Sequence, residues 1–213
     1  MKGGASGRAR GFTLVELLVA MVVMAIMSLM AWQGVDGIVR AREANQVRLE
    51  QILRLETVIA QWEQDLASIQ DESGIPTLTC DGQSVRLIRR TEGGLQVVAW
   101  SLRPDSQNAV WQRWAGPAVT TTANLREMWL RTFQFQGNEA GQLRTLAGLE
   151  AWKVFYFFQG SNAWANCQSS GDVTPVSGNP QQPLVPIGVR IELTFAAGSG
   201  LAEKLVRDVR IEK

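Results

Sequence analysis

The chain has 213 residues, with 21 Lys and Arg set against 20 Asp and Glu, and it contains no His. So even a charge balance carries no polyanion-binding signature, and nucleic acid is not an expected partner. The missing His removes Ser-His-Asp and Cys-His nucleophiles and His-based zinc sites in one step.

The first eleven residues, MKGGASGRARG, are basic through Lys2, Arg8 and Arg10 and otherwise small. A secretory signal peptide places its apolar stretch before the cleavage site. Here the only small-residue boundary, Gly11, precedes the apolar run instead. Residues 12–32 contain neither Pro nor Gly, and their length matches the roughly 20 residues that span a bilayer core as a helix. Basic residues before this segment and none directly after it predict a cytoplasmic N-terminus, with the remainder outside the cytoplasm. The segment holds one charge, Glu16. A charge at the centre of a membrane helix costs about 2.5–3.5 kcal/mol on insertion scales.

The string RGFTLVELLVA, with its basic leader and uninterrupted apolar continuation, resembles the type III signal of prepilins and pseudopilins. In that family a prepilin peptidase cuts after the Gly and methylates the new amino group. The resemblance implies cleavage between Gly11 and Phe12, N-methylation of Phe12, and an assembly role for Glu16. Cleavage would place an ammonium one helical turn from the Glu16 carboxylate. In a filament, family precedent pairs this carboxylate with a neighbouring subunit's amino terminus. Breaking a buried pair of that kind costs about 3–5 kcal/mol, so it can fix the axial register of one helix against the next. The alternative reading has Glu16 near the interface, reaching water and favouring the positive helix end.

Beyond the apolar run, Ile52, Leu55, Ile59, Trp62, Leu66 and Ile69 recur at spacings of three and four, the stripe of an amphipathic helix. No Pro occurs from residue 12 to residue 75. One long helix is therefore expected, with flexibility at Gly34 and Gly37 and an end near Ser73 and Gly74. The chain divides into a leader (1–11), a transmembrane and assembly helix (12–34), an amphipathic periplasmic helix (35–75) and a β-rich globular domain (76–213). The acids of the helix, Glu43, Glu50, Glu56, Glu63 and Asp65, read as a solvated face. The stripe also fits a coiled-coil seam, but a β-rich half follows that needs a helix to cover it.

In that half, SVRLIRR and LQVVAWSL flank TEGG, a hairpin signal. VWQRWAG and EMWLRTFQF read as strands separated by the polar PAVTTTAN, and EAWKVFYFF reads as a central strand. GVRIELTF alternates cleanly and can pair antiparallel with KLVRDVRIE, while residues 168–186 form a polar Gly/Pro loop. The expected fold is α+β and pilin-like, a long N-terminal helix on antiparallel sheet.

AWQGVDGIVRARE, and later LEAWKVFYFF followed by PLVPIGVRIELTF, resemble the minor pseudopilin J family of type II secretion, the general secretion pathway J proteins. That resemblance implies a structural role at the tip of a periplasmic pseudopilus that drives protein secretion. The implied partners are minor pseudopilins I and K, the rest of the pseudopilus, the prepilin peptidase, the inner-membrane assembly platform and membrane lipid. A minor pilin of a type IV pilus shares the signal and fold. A membrane-tethered periplasmic enzyme or binding domain is a third class.

Cys80 and Cys167 match no CxxC pattern. They are either a disulfide closing a long loop in an oxidising compartment or two buried thiols. Asp71, Glu72, Asp81 and Asp172 do not form an EF-hand, and the glycines of DGQS, EGG and GSG lack the context of a phosphate loop. No catalytic residue, metal site or cofactor is expected. Trp100, Trp111, Trp114, Trp129, Trp152 and Trp164 read mostly as core, although an aromatic carbohydrate or partner surface uses the same residues.

Overall fold

A computed structural model describes residues 12–72, 74–106, 108–137, 139–168 and 185–211. The leader through Gly11 and most of the Gly/Pro loop lie outside the described residues. Helix α1 runs Leu14–Ala67. The chain forms two compact units that divide within this helix, one through Leu49 and one from Glu50 onward.

In the second unit, α1 packs on an antiparallel sheet of β1 (Leu78–Cys80), β2 (Ser84–Thr91), β3 (Gly94–Pro104), β4 (Ala109–Ala115), β5 (Gln142–Phe157), β6 (Ala165–Asn166), β7 (Gly188–Phe195) and β8 (Lys204–Arg210). The strand order is β1-β2-β3-β4-β5-β7-β8, with β6 paired to β5. The TEGG hairpin pairs Thr91 with Gly94, and β7 pairs with β8 from Gly188↔Arg210 to Thr194↔Lys204. The alternation in GVRIELTF sets its faces as expected. Val189, Ile191, Leu193 and Phe195 are buried, and the residues between them are not.

Of the helix stripe, Ile59, Trp62 and Leu66 are buried, joined by Val58. Trp62 meets Trp100 edge-on at 5.6 Å and Trp111 at 5.6 Å, while Trp100 and Trp111 lie 4.4 Å apart. Each aromatic pair adds about 0.5–1.5 kcal/mol beyond area burial. Six of the eight Trp are buried in the second unit, so the core reading of these residues is the right one for most; Trp164 is half-buried and Trp32 exposed.

Three expectations are corrected. First, EMWLRTFQF is not a strand. Helix α2 spans Thr122–Arg131 and a 3₁₀ turn follows at Thr132–Gln134. Thr121 caps it, its side chain accepting from the Asn124 N–H. Leu125 and Trp129, four residues apart, bury against Ile88, Val97, Ala99 and Trp114 on the far face of β2–β4. A short apolar run suits either period, and here the cap and the i, i+4 pair decide it.

Second, α1 ends at Ala67 rather than near residue 73. Gln70 donates its N–H to the Ile88 carbonyl at 2.9 Å, and the Arg90 N–H donates to Ser68 at 2.9 Å. The edge of β2 thus takes the backbone groups that another helical turn would have used.

Third, Asp65 is no part of a solvated face; it is 0% exposed. Arg113 of β4 donates to both of its oxygens, Nε at 2.7 Å and Nη2 at 2.9 Å. Arg89 of β2 donates Nη1 at 2.7 Å, Trp100 of β3 donates its indole N–H at 2.8 Å, and Gln61 adds an amide at 3.1 Å. A buried carboxylate loses several kcal/mol of hydration, which only such a full donor set offsets. At the other end of the contact, Arg54 donates to the carbonyls of Thr145 and Arg144 in β5, at 2.7 and 3.1 Å.

Asp65→Ala should therefore strand two guanidinium groups and an indole N–H, and cost about 3–5 kcal/mol of stability. Urea unfolding of the full chain in detergent, read by Trp fluorescence, measures this. A loss below about 1 kcal/mol, the level of an exposed ion pair, would contradict the assignment.

Candidate assembly and processing site

The N-terminal end of α1 carries the residues that the sequence singles out. Phe12 and Thr13 precede the helix, and Phe12 is 83% exposed. The Glu16 N–H donates to the Thr13 hydroxyl at 3.3 Å and to the Thr13 carbonyl at 3.1 Å. Thr13-Leu14-Val15-Glu16 is thus the Ser/Thr-x-x-Glu pattern of a helix start, with the acid in the first turn where the helix dipole favours it. Thr13 was absent from the sequence expectations, although its spacing to Glu16 signals a cap.

The Glu16 carboxylate forms no ion pair among the described residues, whereas its helix neighbour in kind, Asp36, pairs with Arg40 one turn on. Gly11, the residue expected before the cut, lies outside the described residues. The structure therefore brings Phe12, Thr13 and Glu16 together within one turn and adds nothing about the bond to be cut.

From Leu14 onward the apolar run has no cover among the described residues. Leu17, Leu18, Val22, Ile26, Leu29 and their neighbours are all exposed. The helix is long and apolar enough to cross a membrane, and none of its most apolar window is buried. Apolar area left in water costs about 25 cal/mol per Å², so this surface needs either lipid or other helices around it. Ser28 returns its hydroxyl proton to the Met24 carbonyl at 2.8 Å and exposes no unpaired donor to that surroundings.

The remaining candidates fall elsewhere. Cys80 and Cys167 are joined as a disulfide, with Cα atoms 5.7 Å apart. Asp81, beside Cys80, accepts from Arg86 at 2.7 Å and from the N–H groups of Ser84 and Gln83. Burial alone would raise its carboxyl pKa, but Arg86 and these N–H groups more than offset that and hold it below the ordinary carboxylate value. Among the described residues no group of three or more acidic or Cys side chains is arranged to hold a metal.

Residues 6–32 match the family model described as the prokaryotic N-terminal methylation motif. No curated protein matches the chain.

A chain fixed in the membrane by this helix should resist carbonate extraction. Met24→Arg, in the middle of the apolar run, should weaken insertion by about 2.5–3.5 kcal/mol and move protein out of the membrane pellet. Unchanged fractionation of that variant would contradict a membrane-spanning role for the segment.

Proposed function

We propose that this chain, which its N-terminal motif indicates to be type IV pilin-like, is a minor pseudopilin of a type II secretion system. The observation that carries the reading is the methylation motif set in register on a helix whose apolar surface is bare. Such a helix suits a subunit stored in the membrane and drawn from it into a filament, because lipid and neighbouring helices offer it equivalent apolar cover.

On this reading prepilin peptidase cuts between Gly11 and Phe12 and methylates the Phe12 amino group. The chain then spans the inner membrane once, N-terminus inside, with the helix–sheet domain in the periplasm. Glu16 has no ion-pair partner among the described residues, and on this reading a neighbouring subunit's N-terminal ammonium is its partner. Exchange of a membrane-exposed carboxylate for a paired one favours assembly and sets the rise between subunits. The J position, beside minor pseudopilins I and K at the filament tip, rests on the AWQGVDGIVRARE segment and the order of the C-terminal strands. A type IV pilus minor pilin carries the same motif, and secretion genes or pilus genes beside this one distinguish the two readings. The role is structural, with no reaction assigned to the chain.

The test is Glu16→Gln in a strain lacking the native copy. Gln keeps the shape, removes the charge and cannot attract the ammonium. Mass spectrometry should still find a mature chain starting at N-methylated Phe12, and fractionation should still find it in the membrane. Secretion should fall at least tenfold, the effect of losing about 1.4 kcal/mol in the assembly equilibrium. Wild-type secretion by this variant would remove the charge-pair role, and an uncut leader in the native protein would remove the reading altogether.

A further inference from the structure

Among the described residues, the sheet of the second unit holds a seam that no strand closes. Strand β5 pairs with β4 only as far as Ala109↔Leu149, and with β7 all the way to Phe157↔Gly188. On the side that β4 has vacated, β6 arrives only at Phe155↔Asn166. Among the described residues, 150–153 of β5 therefore have no strand partner on that side, and a groove of about 720 Å³ lies there, lined by Trp152, Leu149, Ala109, Leu102 and the turn at Gly82 and Gln83.

That turn, between β1 and β2, reaches the groove from across the sheet. Because β6 lies in the lane of β4, a flat sheet would set it three strand spacings from β1, roughly 14 Å. The Cα atoms of Cys80, at the end of β1, and Cys167, just after β6, are 5.7 Å apart. The sheet must curl to bring them together, and both cysteines pack in or against the apolar cluster that holds Leu78, Trp152 and Trp62. Besides the disulfide, Trp152 donates its indole N–H to the Gly82 carbonyl at 2.8 Å, and Gln168 donates its amide to the Asp81 carbonyl at 3.1 Å. Gly82 sits at φ +84°, a backbone conformation of the turn that favours glycine.

We propose that the Cys80–Cys167 disulfide is a local latch that closes this seam and shapes the groove wall, while the helix–sheet core stands without it. The two hydrogen bonds across this edge are each worth only about 0.5–1.5 kcal/mol net, so without a covalent tie the edge can open locally. The covalent bond removes that freedom. The core has other ties as well, in Asp65 with Arg89, Arg113 and Trp100 and in the ring contacts of Trp62 with Trp100 and Trp111. In closing, the two thiols lose two protons and two electrons and form the S–S bond, and the disulfide of a thiol–disulfide oxidant is reduced to its dithiol. The latch belongs to this domain's own geometry and holds whichever filament the subunit joins.

Hydrogen exchange of the full chain in detergent, oxidised against dithiothreitol-reduced, tests it, with alkylation and mass spectrometry counting the thiols in each sample. Reduction should speed exchange at residues 81–84 and at the Cys167 amide, which donates to the Val154 carbonyl, by roughly tenfold or more. Residues 58–66 and the strand amides around Trp100 should be unchanged. The double variant Cys80→Ala with Cys167→Ala should reproduce the reduced pattern. Faster exchange throughout the domain would overturn the proposal by making the bond a global support. No change at residues 81–84, or two alkylated thiols in the unreduced protein, would overturn it as well.

Discussion

Helix α1 carries two carboxylates that its chain treats in opposite ways, and the architecture depends on that difference. Asp65 is fully buried and receives donors from β2, β3, β4 and its own helix. Glu16 sits on an exposed apolar surface, where its backbone is capped by Thr13 and its side chain forms no ion pair among the described residues. The first carboxylate fixes the C-terminal part of the helix to three strands at one point, so the helix and sheet behave as one body there. The second leaves the N-terminal part seeking a partner from outside. On the proposed function, a helix bound at one end and bare at the other is what a filament subunit requires, since the globular part must keep its shape while the spine changes surroundings.

Trp62 lies on the helix-covered face of the sheet, in the apolar cluster with Trp100, Trp111 and their neighbours. Helix α2 covers only β2–β4 on the other face, through Leu125 and Trp129. Over β7 and β8 that face is instead occupied by ion pairs, Arg190 with Asp208 and Lys204 with Glu192. Exposed pairs of this kind contribute little stability but keep the edge strand β8 charged and unattractive to chance pairing.

How much of this is legible in the sequence differs by element. The apolar run, the TEGG hairpin and the alternation of β7 state their periods without competition, and the structure follows them. The segment around Trp129 does not, because its apolar residues suit either period and the decisive signal is the Thr121 cap. Asp65 is illegible for a different reason. Its neighbour Glu56 is exposed and Glu63 is half-buried beside Arg207, and no local pattern separates a carboxylate that will meet two arginines from distant strands from one that will meet water. The seam between Cys80 and Cys167 is likewise a property of sheet curvature, which spacing in the chain does not encode. The residues proposed for processing and assembly are the reverse case. Gly11, Phe12 and Glu16 are conspicuous in the sequence, and Glu16 has no ion-pair partner among the described residues.

The central claim is that Glu16 meets the amino terminus of another subunit. Carbodiimide coupling in isolated membranes joins a carboxylate to an amine only when they touch. Applied to membranes from an actively secreting strain and followed by peptide mass spectrometry, it should yield an amide between Glu16 and the N-terminal residue of a different pilin-like subunit. Coupling of other carboxylates of this chain, with Glu16 recovered unmodified or joined only to amines of its own chain, would contradict the account.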